Sequence, residues 1–473
     1  MYIMTADKQS SGKLTFVRHH RFFRLPLLIV ILTFLSAIHL AVADDHLKVE
    51  KRDIEIPYIT KNNDIDRRSI RVHIPETAEK PMPLVFIAHY PLGEDTRDYK
   101  EFIQKGWAVA TVIDFKGALH NTTLTDDDLV FNSAALSVAR KLPEIDRTRV
   151  AVTGGSAGGY MTLMLSALHL GICCSVSNAG ITNIRFNMFD YFRHAHTFNL
   201  KELEKLTERE REDRQRRLEA MPIPVLGSIY DGFIPLLDNF PDANDDVRWA
   251  AYSPACLTGC FSNPILQLHF TSDMLVPIDQ VTKRFTHENG KTLPEGFKLR
   301  LSEFDLPAIL QQSLEEAVAA QDLSIRMVPV PNDKNTIVPA FDADRKINIF
   351  VLDEGPAEAT AGHQKNATGA ISFTPYFETY FARSSRLTNE LTVEKLALLA
   401  ERYAGKSIQL PARASTDDTL YGSAARYRAE VLEELLNYMA DRGKEDLSEI
   451  FRQAGAKRPD LVMTLDELQG LVR

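Results

Sequence analysis

The sequence predicts an α/β protein with a mostly parallel sheet and helices on both faces. Its apolar runs are continuous rather than alternating, which is typical of strands that helices cover on both sides. Helical patterns separate these runs, and strand–helix alternation indicates an open parallel sheet. At 473 residues the chain is longer than one such core needs, so insertions or a second small domain are expected.

Six continuous apolar runs and one hairpin pattern define the predicted strands. The hairpin occupies Val49–Ile74, with a polar turn at Lys61–Asp64. The other predicted strands are Pro83–His89, Trp107–Asp114, Arg149–Gly154, Gly171–Ser177, Pro264–Phe270 and Lys346–Leu352. Leu129–Lys141 and Gly159–Leu168 have helical patterns and lie between them.

The domain organisation follows from where this alternation is interrupted. We expect one catalytic domain over residues 44–382, with helical insertions near 183–249 and 289–345. Residues 383–473 lose the strand pattern and form a predicted C-terminal helical region. Its amphipathic helices are predicted at Leu391–Tyr403, Ser423–Arg442 and Asp446–Ala454. Packing of this region against the core is favoured over a partner-binding role.

The N-terminal 43 residues have the pattern of a secretory signal peptide. Basic side chains between Lys8 and Arg24 precede the apolar run Leu25–Leu40, and Ala41–Ala43 offers a small-residue cleavage point. The apolar run is short for a membrane span, which needs roughly 20 residues. The prediction is an exported protein, periplasmic or secreted. The alternative is an uncleaved membrane anchor.

Composition excludes some classes of partner. A net charge of −9 argues against a nucleic-acid partner, which would need a basic face. His194 and His196 lack further clustered ligands, so no metal site is predicted, and no cofactor is expected. Cys256 and Cys260 fit either a local disulfide in an oxidising compartment or free thiols on one helical turn, and the sequence leaves both open.

The central chemical signal is the run GGSAGG, which places Ser156 between a β-branched strand and a helix. A serine in G-x-S-x-G at such a junction sits on a sharp turn, as in the α/β-hydrolase fold. Small residues permit the turn, and the helix N-terminus stabilises negative charge that develops beside it. A glycine-rich turn without chemistry and a phosphate loop are the alternatives, but the lysine of a phosphate loop is absent.

A serine nucleophile needs a base and an orienting acid, which follow it along the chain in this fold. Asp273 comes just after the strand Pro264–Phe270, and His363 follows the last predicted strand. We therefore predict Asp273 as the acid and His363 as the base. The alternatives are a helix N-cap for Asp273 and a surface position for His363.

The oxyanion formed during acyl transfer needs two hydrogen-bond donors. The N–H of Ala157, next to the nucleophile, is the first predicted donor. The second is expected after the strand Pro83–His89, where Pro91 has no N–H and the N–H of Tyr90 is the better candidate. The Tyr90 hydroxyl is the alternative.

These motifs resemble a known family. GGSAGGYMT at Gly154–Thr162 is similar to the serine motif of prolyl-oligopeptidase-like proteins, and PILQLHFTSDMLVP at Pro264–Pro277 is similar to their acid segment. The resemblance implies Ser156, Asp273 and His363 as nucleophile, acid and base. Tyr90 departs from the glycine usual at its position. Only roughly 40 residues separate the predicted cleavage point after Ala43 from the first core strand, so the oligopeptidase propeller has no counterpart there.

The predicted function is an exported serine hydrolase that cleaves an amide or ester bond through an acyl-enzyme. The family resemblance favours a serine peptidase, with a peptide or ester substrate. A carboxylesterase and a non-catalytic binding protein on the hydrolase fold are the alternatives. A third possibility is an envelope interaction module whose C-terminal helices carry the function.

Overall fold

The structure is a computed structural model, and it describes most of the chain after residue 47. The described residues are 48–113, 124, 126–185, 187, 207, 245–270, 273, 276, 323–329, 341, 346–353, 372–442 and 447–473. The predicted signal peptide and His363 lie outside them, as do most residues of the predicted insertions near 183–249 and 289–345.

One nine-stranded sheet organises the described residues. Its strands run in the spatial order β1-β2-β4-β3-β5-β6-β7-β9-β8. They are β1 (Val49–Ile59), β2 (Ile65–Pro75), β3 (Met82–Ile87), β4 (Ala108–Val112), β5 (Ile145–Gly155), β6 (Cys174–Asn178), β7 (Ile265–Phe270), β8 (Leu323–Pro329) and β9 (Ile347–Asp353).

Strand direction confirms the predicted mostly parallel sheet. β1 pairs antiparallel with β2, and β2 pairs antiparallel with β4. The strands from β4 to β8 in spatial order are all parallel to one another. The carboxyl ends of β5, β7 and β9 therefore meet at one edge, where ligands bind in open α/β sheets.

Helices cover both faces of this sheet. They are α1 (Arg97–Gln104), α2 (Asp127–Ala139), α3 (Ala157–Leu168), α4 (Asp246–Ala251), α5 (Thr374–Phe381), α6 (Ser385–Thr388), α7 (Val393–Tyr403), α8 (Ala424–Arg442), α9 (Ser448–Lys457) and α10 (Val462–Val472). Short 3₁₀ helices span Pro254–Cys260 and Pro459–Leu461. This arrangement confirms the predicted α/β-hydrolase fold.

Alternate residues of β3 belong to two different apolar cores, one on each face of the sheet. Leu84 and Phe86 belong to the core formed with α2 and α3. Val85 and Ile87 belong to the core formed with α1 and α5. Successive strand residues point to opposite faces, so a strand buried on both sides must be apolar throughout. This explains the continuous apolar runs in the sequence.

The structure differs from the prediction in the insertion near 289–345, which contains a strand. Leu323–Pro329 forms β8, which pairs with β9 and is the outermost strand on that side of the sheet that the described residues form, where a helical insertion was expected. The segment LSIRMVP contains Ser324 and Arg326, so it lacks the uniformly apolar pattern of the central strands. An edge strand has one unpaired side and is subject to weaker apolar selection.

The C-terminal helices pack on the body of the protein. Leu170, which follows α3, belongs to the same apolar cluster as Leu396 of α7 and Val431 of α8. α7 also contacts α3 and the 3₁₀ helix Pro254–Cys260. The favoured packing of residues 383–473 against the core is thus present, and α10 adds a helix that the sequence reading missed.

All four cysteines are free thiols in this structure. Cys173 and Cys174 are buried, as expected for core positions. Cys256 and Cys260 lie on the 3₁₀ helix Pro254–Cys260 without a disulfide. Among the described residues, no helix is long and apolar enough to cross a bilayer. The same part of the chain contains no cluster of three metal-ligating side chains.

Candidate active site

Ser156 occupies a strained turn between β5 and α3. Its φ of 56° and ψ of −121° lie in a region that residues with a Cβ rarely adopt. Such strain persists only where the surroundings impose it, and it concentrates at functional positions. The backbone therefore has the sharp strand–turn–helix geometry that the motif predicts.

Two glycines make this turn possible. A Cβ on Gly154 would lie 2.5 Å from the carbonyl oxygen of Gly158, and a Cβ on Gly158 would lie 2.6 Å from that of Ala88. Both distances are far below van der Waals contact, so these positions accept no side chain. Gly155 is different, since its nearest neighbour would be Asn178 O at 3.8 Å. The glycine requirement predicted on each side of Ser156 is confirmed.

Backbone hydrogen bonds fix Ser156 between two elements. Its N–H donates to the carbonyl of Asn178, the last residue of β6, at 2.8 Å. Its own carbonyl accepts from the N–H of Tyr160 at 3.0 Å and so begins α3. Every residue of α3 is buried, whereas Ser156 is partly exposed. The turn therefore presents this serine at the carboxyl edge of the sheet.

Ala157 is the first residue of α3 and is 3% exposed. The N–H groups of a helix's first turn have no acceptor within the helix. They point along the axis toward its positive end, where an anion is stabilised. The position of Ala157 therefore matches the first predicted oxyanion donor.

Tyr90 lies beside the same turn, but its N–H is already engaged. It donates to the carbonyl of Ala88 at 2.8 Å, closing a tight turn around His89, whose φ is 70°. Donation from this N–H to an oxyanion would require that bond to break. The Tyr90 ring lies close to Gly158, since a Cβ there would be 3.4 Å from Tyr90 Cδ2. The N–H is therefore disfavoured as the second oxyanion donor, and the hydroxyl, the alternative, stays a prediction.

Burial keeps the Tyr90 hydroxyl protonated. It raises the pKa of this group to about 12. The hydroxyl is therefore a hydrogen-bond donor throughout the neutral range. Its ring packs edge-on against that of His89, with 4.5 Å between centroids.

Asp273 lies three residues beyond the end of β7 and is 2% exposed. Its Oδ1 accepts the N–H of Val276 at 2.9 Å, the type of bond that a capping aspartate makes. The carbonyl of Val276 accepts in turn from Nε2 of His269 at 2.6 Å. His269 thus steadies the segment that carries Asp273, a role that the sequence reading did not assign.

Sheet order sets the separation of Ser156 and Asp273. β6 lies between β5 and β7, and neighbouring strands are about 4.8 Å apart, so the two strand ends are separated by roughly 10 Å. That gap leaves room for an imidazole between the two side chains. His363 belongs to the chain after β9, the strand beside β7, but lies outside the described residues.

Three described histidines have other environments. His169 bonds to Ser133 and Glu434, and His269 bonds to Gln267 and Val276. Burial lowers the pKa of His89 to about 4, which makes it a weak base. The assignment of His363 as base stays a prediction.

Asn178 is a second functional position that the sequence reading missed. Its carbonyl holds the N–H of Ser156, and the following Ala179 has a φ of 48°. The only signal in the sequence is a polar residue and a glycine at the end of a strand, Asn178 and Gly180. Strand pairing determines which turn they meet, and that pairing is not a local property.

Residues 119–224 match the model of the prolyl oligopeptidase family. The matched segment contains Ser156 and its turn, but neither Asp273 nor His363. Together with the sheet order and the strained serine, it confirms the predicted resemblance. The chain therefore has the α/β-hydrolase fold with the strained serine turn of serine hydrolases, and over residues 119–224 it resembles the prolyl oligopeptidase family.

Solved structures with a similar fold include peptidases and an esterase. Acylaminoacyl peptidase from Pyrococcus horikoshii is 14% identical, with a TM-score of 0.40 over 74% of this chain and 44% of the peptidase. A puromycin hydrolase is 12% identical, with a TM-score of 0.36 over 76% of this chain and 39% of the hydrolase. An esterase from Pyrococcus furiosus is 13% identical, with a TM-score of 0.36 over 71% of this chain and 91% of the esterase.

The chain spans less than half the length of the acylaminoacyl peptidase. No curated protein matches the sequence significantly.

The glycine pair before Ser156 gives a matched test of the turn. Gly154→Ala places a methyl group against the backbone of Gly158, so we expect a loss of about 1–3 kcal/mol in the free energy of unfolding. Gly155→Ala makes only an ordinary van der Waals contact, 3.8 Å from Asn178 O, and should cost clearly less. Chemical denaturation of both variants measures the difference, and equal losses would contradict the steric explanation.

Proposed function

We propose that this protein is an exported serine hydrolase that cleaves a peptide amide bond through an acyl-enzyme. The observation that carries the proposal is the strained Ser156 at the N-terminus of the buried helix α3, within the segment that matches the prolyl oligopeptidase family. Strained backbone concentrates at functional positions, and Ser156 combines it with partial exposure, as a nucleophile requires.

The proposed mechanism assigns one role to each residue. The Oγ of Ser156 attacks the carbonyl carbon while His363 removes its proton. The carboxylate of Asp273 holds the imidazole in the productive tautomer. The N–H of Ala157 and the hydroxyl of Tyr90 bind the oxyanion, and His363 then protonates the leaving amine. A water molecule, activated by His363, releases the acyl group from Ser156.

A peptide is favoured over a simple ester as substrate because the matched family is one of peptidases. Acyl-transfer chemistry is the same for both bonds, and the fold hosts both activities. A carboxylesterase therefore stays the alternative. It predicts turnover of 4-nitrophenyl esters together with inertness toward peptidyl 4-nitroanilides.

The nucleophile is tested directly by a fluorophosphonate probe, which reacts with activated serines. We expect stoichiometric labelling at Ser156 in the wild-type protein and none in Ser156→Ala. Peptidyl 4-nitroanilide hydrolysis should disappear in the same variant, because the acyl-enzyme cannot form. Full labelling of the alanine variant would show that the nucleophile lies elsewhere.

The same assay tests the orienting acid. Asp273→Asn keeps an oxygen that can accept the N–H of Val276, so the fold should be retained. Turnover should fall on the order of 10⁴-fold, because the amide favours the wrong imidazole tautomer. Wild-type turnover in this variant would mean that another carboxylate orients the base.

Tyr90→Phe tests the second oxyanion donor. We expect kcat to fall by about 10²-fold with KM nearly unchanged, because the hydroxyl acts on charge that develops only in the transition state. With its pKa near 12, the hydroxyl stays protonated, so the deficit should be constant from about pH 6 to 10. Tyr99→Phe, which removes a hydroxyl bonded to His73, is the matched control. An unchanged kcat in Tyr90→Phe would assign the role to a different donor.

Export is supported by the N-terminal sequence, with its basic region, apolar run and Ala41–Ala43. Signal cleavage should leave a mature protein that begins at or near Asp44. Intact-mass analysis of the protein isolated from its native host measures this. An uncleaved Met1 on protein from the soluble cytosolic fraction would contradict export.

A further inference from the structure

The end of α3 remote from Ser156 lies in a buried setting. Leu168, His169 and Leu170 are all at most 1% exposed, and the chain turns there to enter β6. A helix leaves its last carbonyls without partners within the helix, and burial denies them water. Side chains must therefore supply the missing bonds, and in this protein they come largely from the C-terminal helices.

Lys395 of α7 provides two of these bonds. Its Nζ donates to the carbonyl of Ser166 at 2.9 Å and to that of Ala167 at 2.7 Å. The side chain is 0% exposed, and burial lowers its pKa to about 7. A neutral amine still has two N–H groups, so both bonds persist whether or not the group is charged.

Arg402, two turns further along α7, donates to the carbonyl of Leu168 at 3.3 Å. It is held by Glu430 of α8 through a bond of 2.6 Å, and both residues are at most 3% exposed. A cation at a helix C-terminus also interacts favourably with the helix dipole. Two side chains of one helix thus bind three consecutive carbonyls at the end of α3.

Glu434 of α8 binds the next two residues. One oxygen accepts from Nδ1 of His169 at 2.7 Å, and the other accepts the N–H of Leu170 at 2.9 Å. Burial would raise the pKa of Glu434, but its interaction with His169 and the nearby guanidinium groups of Arg402 and Arg140 hold it well below the usual value. The ionised carboxylate fixes the proton on Nδ1, so Nε2 accepts from the hydroxyl of Ser133 at 2.7 Å.

Ser133, His169 and Glu434 have the bond pattern of a catalytic triad, yet none is more than 3% exposed. A substrate has no path to a serine enclosed in this way, so the network is structural. Its effect is to tie α8 to the connection between α3 and β6. Asn389 binds the next two residues: its Oδ1 accepts the N–H of Gly171, and its Nδ2 donates to the carbonyl of Ile172.

α3 and β6, which these side chains hold at the end remote from Ser156, also form the turn that carries Ser156. α3 begins directly after Ser156, and β6 ends at Asn178, whose carbonyl binds the N–H of Ser156. Next to this bond the backbones touch, since a Cβ on Gly159 would lie 2.7 Å from the Cα of Gly180. A 12-residue helix is about 18 Å of stiff structure, so a shift at its C-terminus moves its N-terminus too.

We propose that Lys395, Arg402 and Glu434 are positioning residues that set the placement of Ser156 through the α3–β6 unit. This inference rests on the proposed function of Ser156. The C-terminal helical region is then part of the catalytic architecture, although none of its described residues belongs to the proposed site. Small misplacements of reacting groups cost up to about 10²-fold in rate, so a small shift of Ser156 should give a measurable decrease in its reaction rate.

The test compares neighbouring residues of α8. Glu434→Gln keeps the side-chain volume but cannot accept both bonds. Glu433→Gln is the matched control, since the side chain of Glu433 is 44% exposed and pairs at 2.5 Å with Lys141, which lies just beyond the end of α2. Lys395→Met removes both donors to α3 and keeps the apolar stem. The second-order rate of fluorophosphonate labelling at Ser156 is measured at a temperature where near-UV circular dichroism shows each variant fully folded.

We expect Glu434→Gln and Lys395→Met to be labelled at least about fivefold more slowly, with Glu433→Gln within about twofold of wild type. In turnover assays kcat should fall while KM is kept. A role confined to stability would lower the unfolding midpoint and leave the labelling rate of folded protein unchanged, which would overturn the inference. Should neither buried variant fold, Arg402→Lys takes their place under the same criterion.

The two proposals fail in different ways. Absence of labelling at Ser156 in the wild-type protein would overturn the proposed function. Wild-type labelling, with both folded variants reacting at the wild-type rate, would overturn the positioning role alone.

Discussion

The steric contact between Gly158 and the backbone around it is the constraint on which the site depends. Because the Gly154 backbone lies against the carbonyl of Gly158, and the Gly158 backbone against that of Ala88, β5, α3 and the end of β3 meet without side chains between them. That proximity forces Ser156 into its strained conformation and brings Tyr90 beside the start of α3. The chemistry proposed for the site follows from this packing.

A second constraint acts at the opposite end of α3. Burying Lys395, Arg402, Glu430 and Glu434 is costly unless each group finds partners, and removing one partner from such a set is strongly destabilising. Lys395, Arg402 and Glu434 bond to the carbonyl and N–H groups at the end of α3 that have no partner within the helix, and Glu430 pairs with Arg402. The same hydrogen bonds therefore reduce the cost of burying the charged side chains and the cost of burying unpaired backbone groups. They also join the C-terminal helices to the hydrolase core.

Much of this architecture was predictable because its signals are local. β3 is apolar on both faces, apolar side chains predominate in β4, β7 and β9, and α3 follows a motif whose glycines the structure shows to be sterically required. β8 was missed because Ser324 and Arg326 break the apolar pattern, as an edge position allows. The N–H of Tyr90 was a reasonable donor by sequence, but its bond to Ala88 depends on a turn around His89 that no pattern revealed.

The sequence by itself determined the fold class, the position of Ser156 and the helical character of residues 383–473. Each of these features follows from the spacing of residues within a few helical turns or a single strand, so a short stretch of sequence is enough to predict it. Tertiary structure decided that Asn178 holds Ser156 and that Lys395, Arg402 and Glu434 close the far end of α3. Those contacts join residues up to 265 positions apart, and only the packing of finished elements brings them within hydrogen-bond distance.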